Sequence, residues 1–142
     1  MSTASDLPAR LQGRTIAVAE SLTSGNIQAA IGSVSGASSY FLGGVTAYSI
    51  DQKVALLGVE RAVAAPVNCV SEAVVRQMVA GIRRLTGADV GIATTGYAEV
   101  WGSITVPMAW IAVDVGGAVR TVMVEAPGLD RHGVQQHVTE VA

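Results

Sequence analysis

Cysteine, lysine and phenylalanine each occur once in the 142 residues, and several of the chain's scarcities exclude a class of protein. A lone Cys69 leaves no internal disulfide and no zinc cage of several thiolates, which fits a reducing compartment. Charged residues make up only 14% of the chain, nine basic against eleven acidic, for a net charge of −2. The largest basic cluster is Arg83-Arg84, so the phosphate-neutralising stripe of a nucleic-acid binder is missing. His132 and His137 are five apart, poor spacing for one helical face, with no acidic cluster beside them. No metal is expected. No cofactor is expected either, since neither a Gly-Lys-Ser/Thr phosphate loop nor a dinucleotide fingerprint occurs.

Long apolar runs are also lacking. Residues 21–50 carry no charge, but 16 of those 30 are Ser, Thr, Asn, Gln or Gly. A membrane span needs about 20 mostly apolar residues, and no window supplies them. Residues 1–12 include Asp6 and have no apolar core, unlike a secretory signal. The expectation is a cytoplasmic protein with no membrane partner, folded as one domain over residues 1–142. Half of the residues are hydrophobic, which excludes a disordered chain. Low charge then points to extensive burial, including the interface of a homo-oligomer, most simply a twofold dimer.

What is present alternates between strand and helix patterns. Residues 7–11 read as a short helix cut by Gly13, and 15–19 as a buried strand. A helix over 24–31, a Gly/Ser-rich loop over 32–39 and a strand over 41–48 loosened by Gly43-Gly44 follow. Residues 50–57 read as a helix ended by Gly58. The most periodic segment is 71–85, where Val74, Val75, Met78, Ile82 and Leu85 recur at helical spacing behind a Ser71 cap. Residues 90–94 form an apolar strand, and 110–115 and 119–125 flank a Gly116-Gly117 hairpin turn. A helix over 130–142 comes last. This order predicts an α/β fold, a three-layer α/β/α sandwich with a mixed sheet of about five strands.

Two strand-to-helix junctions carry the candidate chemistry. The first is Ala19-Glu20-Ser21-Leu22-Thr23-Ser24-Gly25. Backbone N–H groups at such a junction, with the helix dipole, stabilise an anion or a developing oxyanion. Ser21 is a candidate nucleophile and Thr23 a donor; alternatively, and favoured by spacing alone, Ser21 or Thr23 simply caps the helix. The second junction is Tyr48-Ser49-Ile50-Asp51-Gln52-Lys53. A desolvated lysine can act as a base where arginine cannot. Alternatively Ser49 and Gln52 form a capping box and Lys53 is solvated on the first turn. Cys69 is a candidate low-pKa thiol or a small core filler.

Taken in order, these segments resemble the C-terminal domain of the CinA, or competence/damage-inducible, family, which includes stand-alone nicotinamide-nucleotide amidohydrolases. Residues 15–23 look like its strand followed by A-E-S-x-T-G-G. Residues 34–45 resemble its P-G-A-S-x-x-F-x-G-G-V, and Tyr48-Ser49 with Lys53 and Leu57-Gly58-Val59 resembles its Y-S-N-x-x-K-x-x-x-L-G-V. Val70-Ser71-Glu72 and Thr95-Gly96 match V-S-E and T-G. The resemblance implies an anticodon-binding-domain-like three-layer fold and metal-independent hydrolysis of nicotinamide mononucleotide to nicotinic acid mononucleotide and ammonia, a step in pyridine-nucleotide recycling. It implies Ser21 as nucleophile and Lys53 as base, with Tyr48 and Thr95 supporting them. On the substrate side it implies Thr23, Ser24, Gly25, Gly96 and Arg131.

The chain also departs from the pattern. Ile50 replaces the asparagine after Tyr-Ser, and Thr23-Ser24-Gly25 stands for T-G-G. The loop G-I-A-G-P-G-G-G is here Gly96-Tyr97-Ala98-Glu99-Val100-Trp101-Gly102, and Gln135-Gln136 stands where an arginine pair falls. Glu99 is expected to repel a phosphate, and Trp101 to fill space a ribose or nicotinamide ring needs. Two readings follow. One is an amidohydrolase with weakened or altered substrate use. The other is a non-catalytic binding or regulatory paralogue that keeps the fold.

Overall fold

In the computed structural model residues 3–142 are described; Met1 and Ser2, part of the segment read for a signal, lie outside the described residues. Their strands form a mixed five-stranded sheet ordered β2-β1-β3-β4-β5. These are β1 (Ile16–Glu20), β2 (Phe41–Thr46), β3 (Val90–Tyr97), β4 (Met108–Val115) and β5 (Ala118–Glu125). β1 runs parallel to both neighbours, while β3, β4 and β5 are antiparallel in sequence. The helices are α1 (Leu7–Leu11), α2 (Asn26–Gly32), α3 (Ile50–Leu57), α4 (Arg61–Ala64), α5 (Glu72–Thr86) and α6 (Arg131–Val141).

Alternation along β1 explains the layers. Side chains of a strand point to opposite faces in turn. Ala17 and Ala19 face one way and pack with Val75, Met78, Val79 and Ile82 of α5. Ile16 and Val18 face the other way and meet Ile27 and Ile31 of α2. Farther along the sheet, Ala109, Ile111 and Val124 receive Val134 and Val138 of α6. A strand buried on both faces has no room for polar alternation, which is why residues 15–19 read as one apolar run. The small alanines let α5 approach closely. Gly81 serves the same end, because a Cβ there would lie 2.0 Å from the Leu57 carbonyl oxygen at the end of α3.

Boundaries differ from expectation for local reasons. β2 stops at Thr46, not residue 48, because Ser49 turns the chain into α3 as its N-cap. α2 starts at Asn26, not residue 24, because Ser24 and Gly25 hold φ of 51° and 93°. α4 has no counterpart in the sequence pattern. β3 runs on to Tyr97 and β4 begins at Met108, since antiparallel pairing extends past the apolar cores of both strands. Leu85 is not part of the buried stripe of α5 but 52% exposed. Within the charge-free segment 21–50, Ser33, Ser35, Ser38 and Ser39 are exposed on the single chain. Among the described residues no helix is long and apolar enough to cross a membrane.

Candidate active site

Parallel strands β1 and β3 end side by side, and a crevice outside the carboxyl ends of such strands is where α/β sheets collect ligands. Ser21 is the first residue after β1. Thr94, Thr95 and Gly96 lie toward the end of β3. Lys53 comes from the first turns of α3. Together Ser21, Tyr48, Lys53, Thr95 and Gly96 line a cleft of about 280 Å³, with Cys69 and Tyr97 also in its wall.

Lys53 Nζ donates to Ser21 Oγ at 2.9 Å and to the Tyr48 carbonyl at 2.9 Å. The lysine is 2% exposed and Ser21 6%, so the reading of Lys53 as a solvated first-turn residue is overturned. Ser49 Oγ accepts the Gln52 N–H at 3.2 Å, fixing the turn that aims the lysine inward. Burial lowers the Lys53 pKa from its ordinary value, with Cys69 acting more weakly in the opposite direction. A buried amine with lowered basicity, hydrogen-bonded to a serine hydroxyl, has the geometry of a nucleophile with its base.

The support behind Ser21 is only partly the one expected. Neither Ser21 nor Thr23 caps α2. The carboxylate of Glu20, fully buried, reaches over and accepts the Ile27 and Gln28 N–H groups at 3.0 and 2.9 Å. Glu20 thus occupies the helix terminus where an anion-holding array was expected. The Ser24 N–H donates to the Ser21 carbonyl and the Asn26 N–H to that of Thr23. Thr23, Ser24 and Gly25 are not among the cleft-lining residues. The Thr23 hydroxyl shares a 3.0 Å hydrogen bond with Thr94 Oγ1, which also accepts the Ser21 N–H at 3.3 Å.

On the opposite wall, Thr95 Oγ1 donates to the Cys69 carbonyl at 2.6 Å. Asn68 and Cys69 both take positive φ, 51° and 64°, a backbone conformation costly for side chains other than glycine. The resulting sharp turn presents the Cys69 carbonyl to Thr95. Gly96 is confined by strand β4: a Cβ there would come within 2.4 Å of the Met108 carbonyl oxygen.

At the mouth, Arg131 Nη2 donates to the Tyr48 hydroxyl and Nη1 to Glu99 Oε1, the latter at 2.9 Å. Trp101 stacks on Tyr97 with ring centroids 6.0 Å apart and is 60% exposed. Gly96 and Tyr97 of this loop line the cleft, whereas Glu99, Trp101 and Arg131 do not. The Glu99 carboxylate turns to the Arg131 guanidinium and the indole to the Tyr97 ring. His132 lies exposed, and the described residues contain no cluster of three His, Cys, Asp or Glu able to hold a metal.

The pattern of the CinA C-terminal domain matches residues 2–142. The chain belongs to the CinA C-terminal domain family. It is 39% identical over 138 residues to a CinA-like protein of Mycolicibacterium gilvum, covering 94% of this chain and 32% of that protein. It is 48% identical over 89 residues to a CinA-like protein of a Picosynechococcus species, covering 63% of this chain and 21% of that one. The chain therefore spans no more than about a third of these relatives. A crystal structure of a CinA superfamily protein from Klebsiella pneumoniae superposes with a TM-score of 0.89 at 30% identity, covering 96% of this chain and 88% of that one. The α/β sandwich is thus the CinA fold.

Several residues of this CinA-family cleft escaped the sequence reading. Glu20 and Thr94 stand behind Ser21, and Tyr97 joins the wall. Their one signal was polarity at the end of a buried strand: Glu20 closes an apolar run, and Thr94-Thr95 closes another. Successive strand residues face opposite ways, so Thr94 serves Ser21 while Thr95 serves the Cys69 turn.

Proposed function

We propose that this CinA-family domain is a cytoplasmic amidohydrolase that cleaves the carboxamide of a small nicotinamide-nucleotide-type substrate, giving a carboxylate and ammonia. The observation that carries the reading is the 2.9 Å contact between Lys53 Nζ and Ser21 Oγ inside a cleft. Neutral Lys53 takes the Ser21 proton as the oxygen attacks the carboxamide carbon. The resulting ammonium returns that proton to the departing nitrogen, which leaves as ammonia. Water, deprotonated by the same amine, then hydrolyses the acyl-serine and restores the hydroxyl. Tyr48 orients the base through its carbonyl, and Thr95 holds the wall beside Gly96. Thr23 acts from behind by fixing Thr94. Arg131 meets the far end of the substrate.

Purified protein with nicotinamide mononucleotide should release ammonia, and Ser21→Ala should abolish release while the circular dichroism spectrum is retained. Wild-type turnover by Ser21→Ala would remove the serine from the mechanism. The non-catalytic reading has one observation in its favour: Arg131 is already engaged by Glu99. It prevails if the mononucleotide binds and no ammonia appears. We further propose a twofold homodimer of one-domain chains, built on the charge-free surface of residues 21–50.

A further inference from the structure

Arg131 and the residues around it form a second functional layer at the mouth of the cleft. Tyr48 spans the two layers. Its backbone carbonyl accepts from Lys53 Nζ, and its ring hydroxyl accepts from Arg131 Nη2. The amine and the guanidinium are therefore joined through the two ends of one tyrosine. An arginine so placed suits a ligand anion, because its fork of donors fits phosphate or carboxylate oxygens. Here the other face of the fork is spent on Glu99 Oε1 at 2.9 Å. Asp130, the neighbouring carboxylate, is turned to the Gly133 N–H as the cap of α6. Among the described residues Lys53 is the one Lys, Arg, Asp or Glu in the cleft wall, and it is engaged with Ser21.

Resting on the amide-hydrolysis reading, we propose that Glu99 sets the charge preference of this site: by neutralising Arg131 it removes the advantage of a phosphorylated amide over the same amide without phosphate. A phosphate arriving at Arg131 meets a guanidinium and a carboxylate together and must displace the latter. The Glu99–Arg131 pair is open to solvent, with side chains 60% and 45% exposed. Exposed pairs are weak and exchange readily, so Glu99 competes with the ligand and does not seal the mouth. A ligand ending in a neutral hydroxyl meets no such competition.

The test compares nicotinamide mononucleotide with nicotinamide riboside. Affinities are measured by calorimetry on Ser21→Ala protein, which does not consume them, and ammonia release is followed with Ser21 intact. The two ligands should bind the parent with similar affinity. Glu99→Gln should tighten the mononucleotide about two- to fivefold, the range for one exposed ion pair, and leave the riboside unchanged. The gain should be absent when Arg131→Ala is combined with it. It should also fade near about 1 M salt, where charges are screened within about 3 Å. Both ligands responding alike to Glu99→Gln, a gain that survives loss of Arg131, a parent that already favours the mononucleotide tenfold, or binding of neither ligand would each overturn the proposal. Because affinity is the readout, the expected pattern without ammonia release sinks the amidase reading alone. Ammonia release with no effect of Glu99→Gln sinks this proposal alone.

Discussion

Replacing Lys53 with methionine separates the chemistry of the buried amine from its packing. Methionine fills much of the same space and carries no charge. In the wild type the amine is 2% exposed and makes two hydrogen bonds, to Ser21 Oγ and the Tyr48 carbonyl, each 2.9 Å. Activity should fall at least about a hundredfold, the low end for loss of a general base. The net stability change is a contest. Hydrogen bonds from a charged donor are worth about 1.5–3 kcal/mol each, and the burial that lowers the Lys53 pKa opposes them. The pH dependence is not a contest. Unfolded lysine titrates near about 10.4, and burial brings the folded value below that. Between the two values the unfolded chain holds a proton that the folded chain has released. Wild-type stability relative to Lys53→Met therefore rises with pH through that window and is flat below it. One proton gives a slope of at most about 1.4 kcal/mol per pH unit. Urea unfolding of both proteins from about pH 6 to about pH 10 measures it, with the slope of ΔG on urea checked for constancy. Parallel curves, or a wild type that loses ground as pH rises, would refute the assignment of Lys53 as a desolvated amine. The pH profile of kcat/KM should rise through the same folded-state pKa.

Two further outcomes follow from the same geometry. Glu20→Ala strips the acceptor from two buried α2 N–H groups and should cost at least about 2 kcal/mol in urea unfolding. Glu20→Gln, keeping one acceptor oxygen, should cost less, and an alanine variant within about 0.5 kcal/mol of wild type would show that the cap does not hold the junction. Light scattering at tens of micromolar, on the order typical of such samples, should give twice the chain mass, and a monomer alone would count against the proposed dimer.

The fold was legible because its strongest signals were local. The parallel strands are short apolar runs, and the helical periodicity of α5 carries its own cap, Ser71, whose hydroxyl accepts the Val74 N–H at 3.1 Å. The turn at Gly116-Gly117, both with positive φ, is fixed by chemistry within two residues. What was not legible depends on partners distant in sequence. β3 continues through Thr95, Gly96 and Tyr97 because Trp110, Ala109 and Met108 pair with them, and nothing within residues 90–97 announces that register. α4 is a single turn with too few residues to show a period.

The candidate site divides along the same line. Lys53 was conspicuous as the lone lysine after a strand, and Ser21 as a serine at a strand end; the cap at Ser49 then fixes which way Lys53 points. At the helix terminus the nearest small polar residues do not supply the cap. The fold took it from Glu20, inside the sheet. Physical chemistry contained the correction: a carboxylate closing a strand buried on both faces must find donors, and the first N–H groups of the following helix are the nearest unsatisfied ones. That choice shapes the chemistry. With the α2 terminus filled by a protein carboxylate, it is closed to a substrate anion. Favourable charge for a ligand's far end then falls to the mouth, where Arg131 is shared between Tyr48 and Glu99. On the proposed reading, selectivity in this cleft falls to residues 99 and 131, on a loop and a helix start, while the strand junctions that hold Ser21 and Lys53 serve the reacting bond.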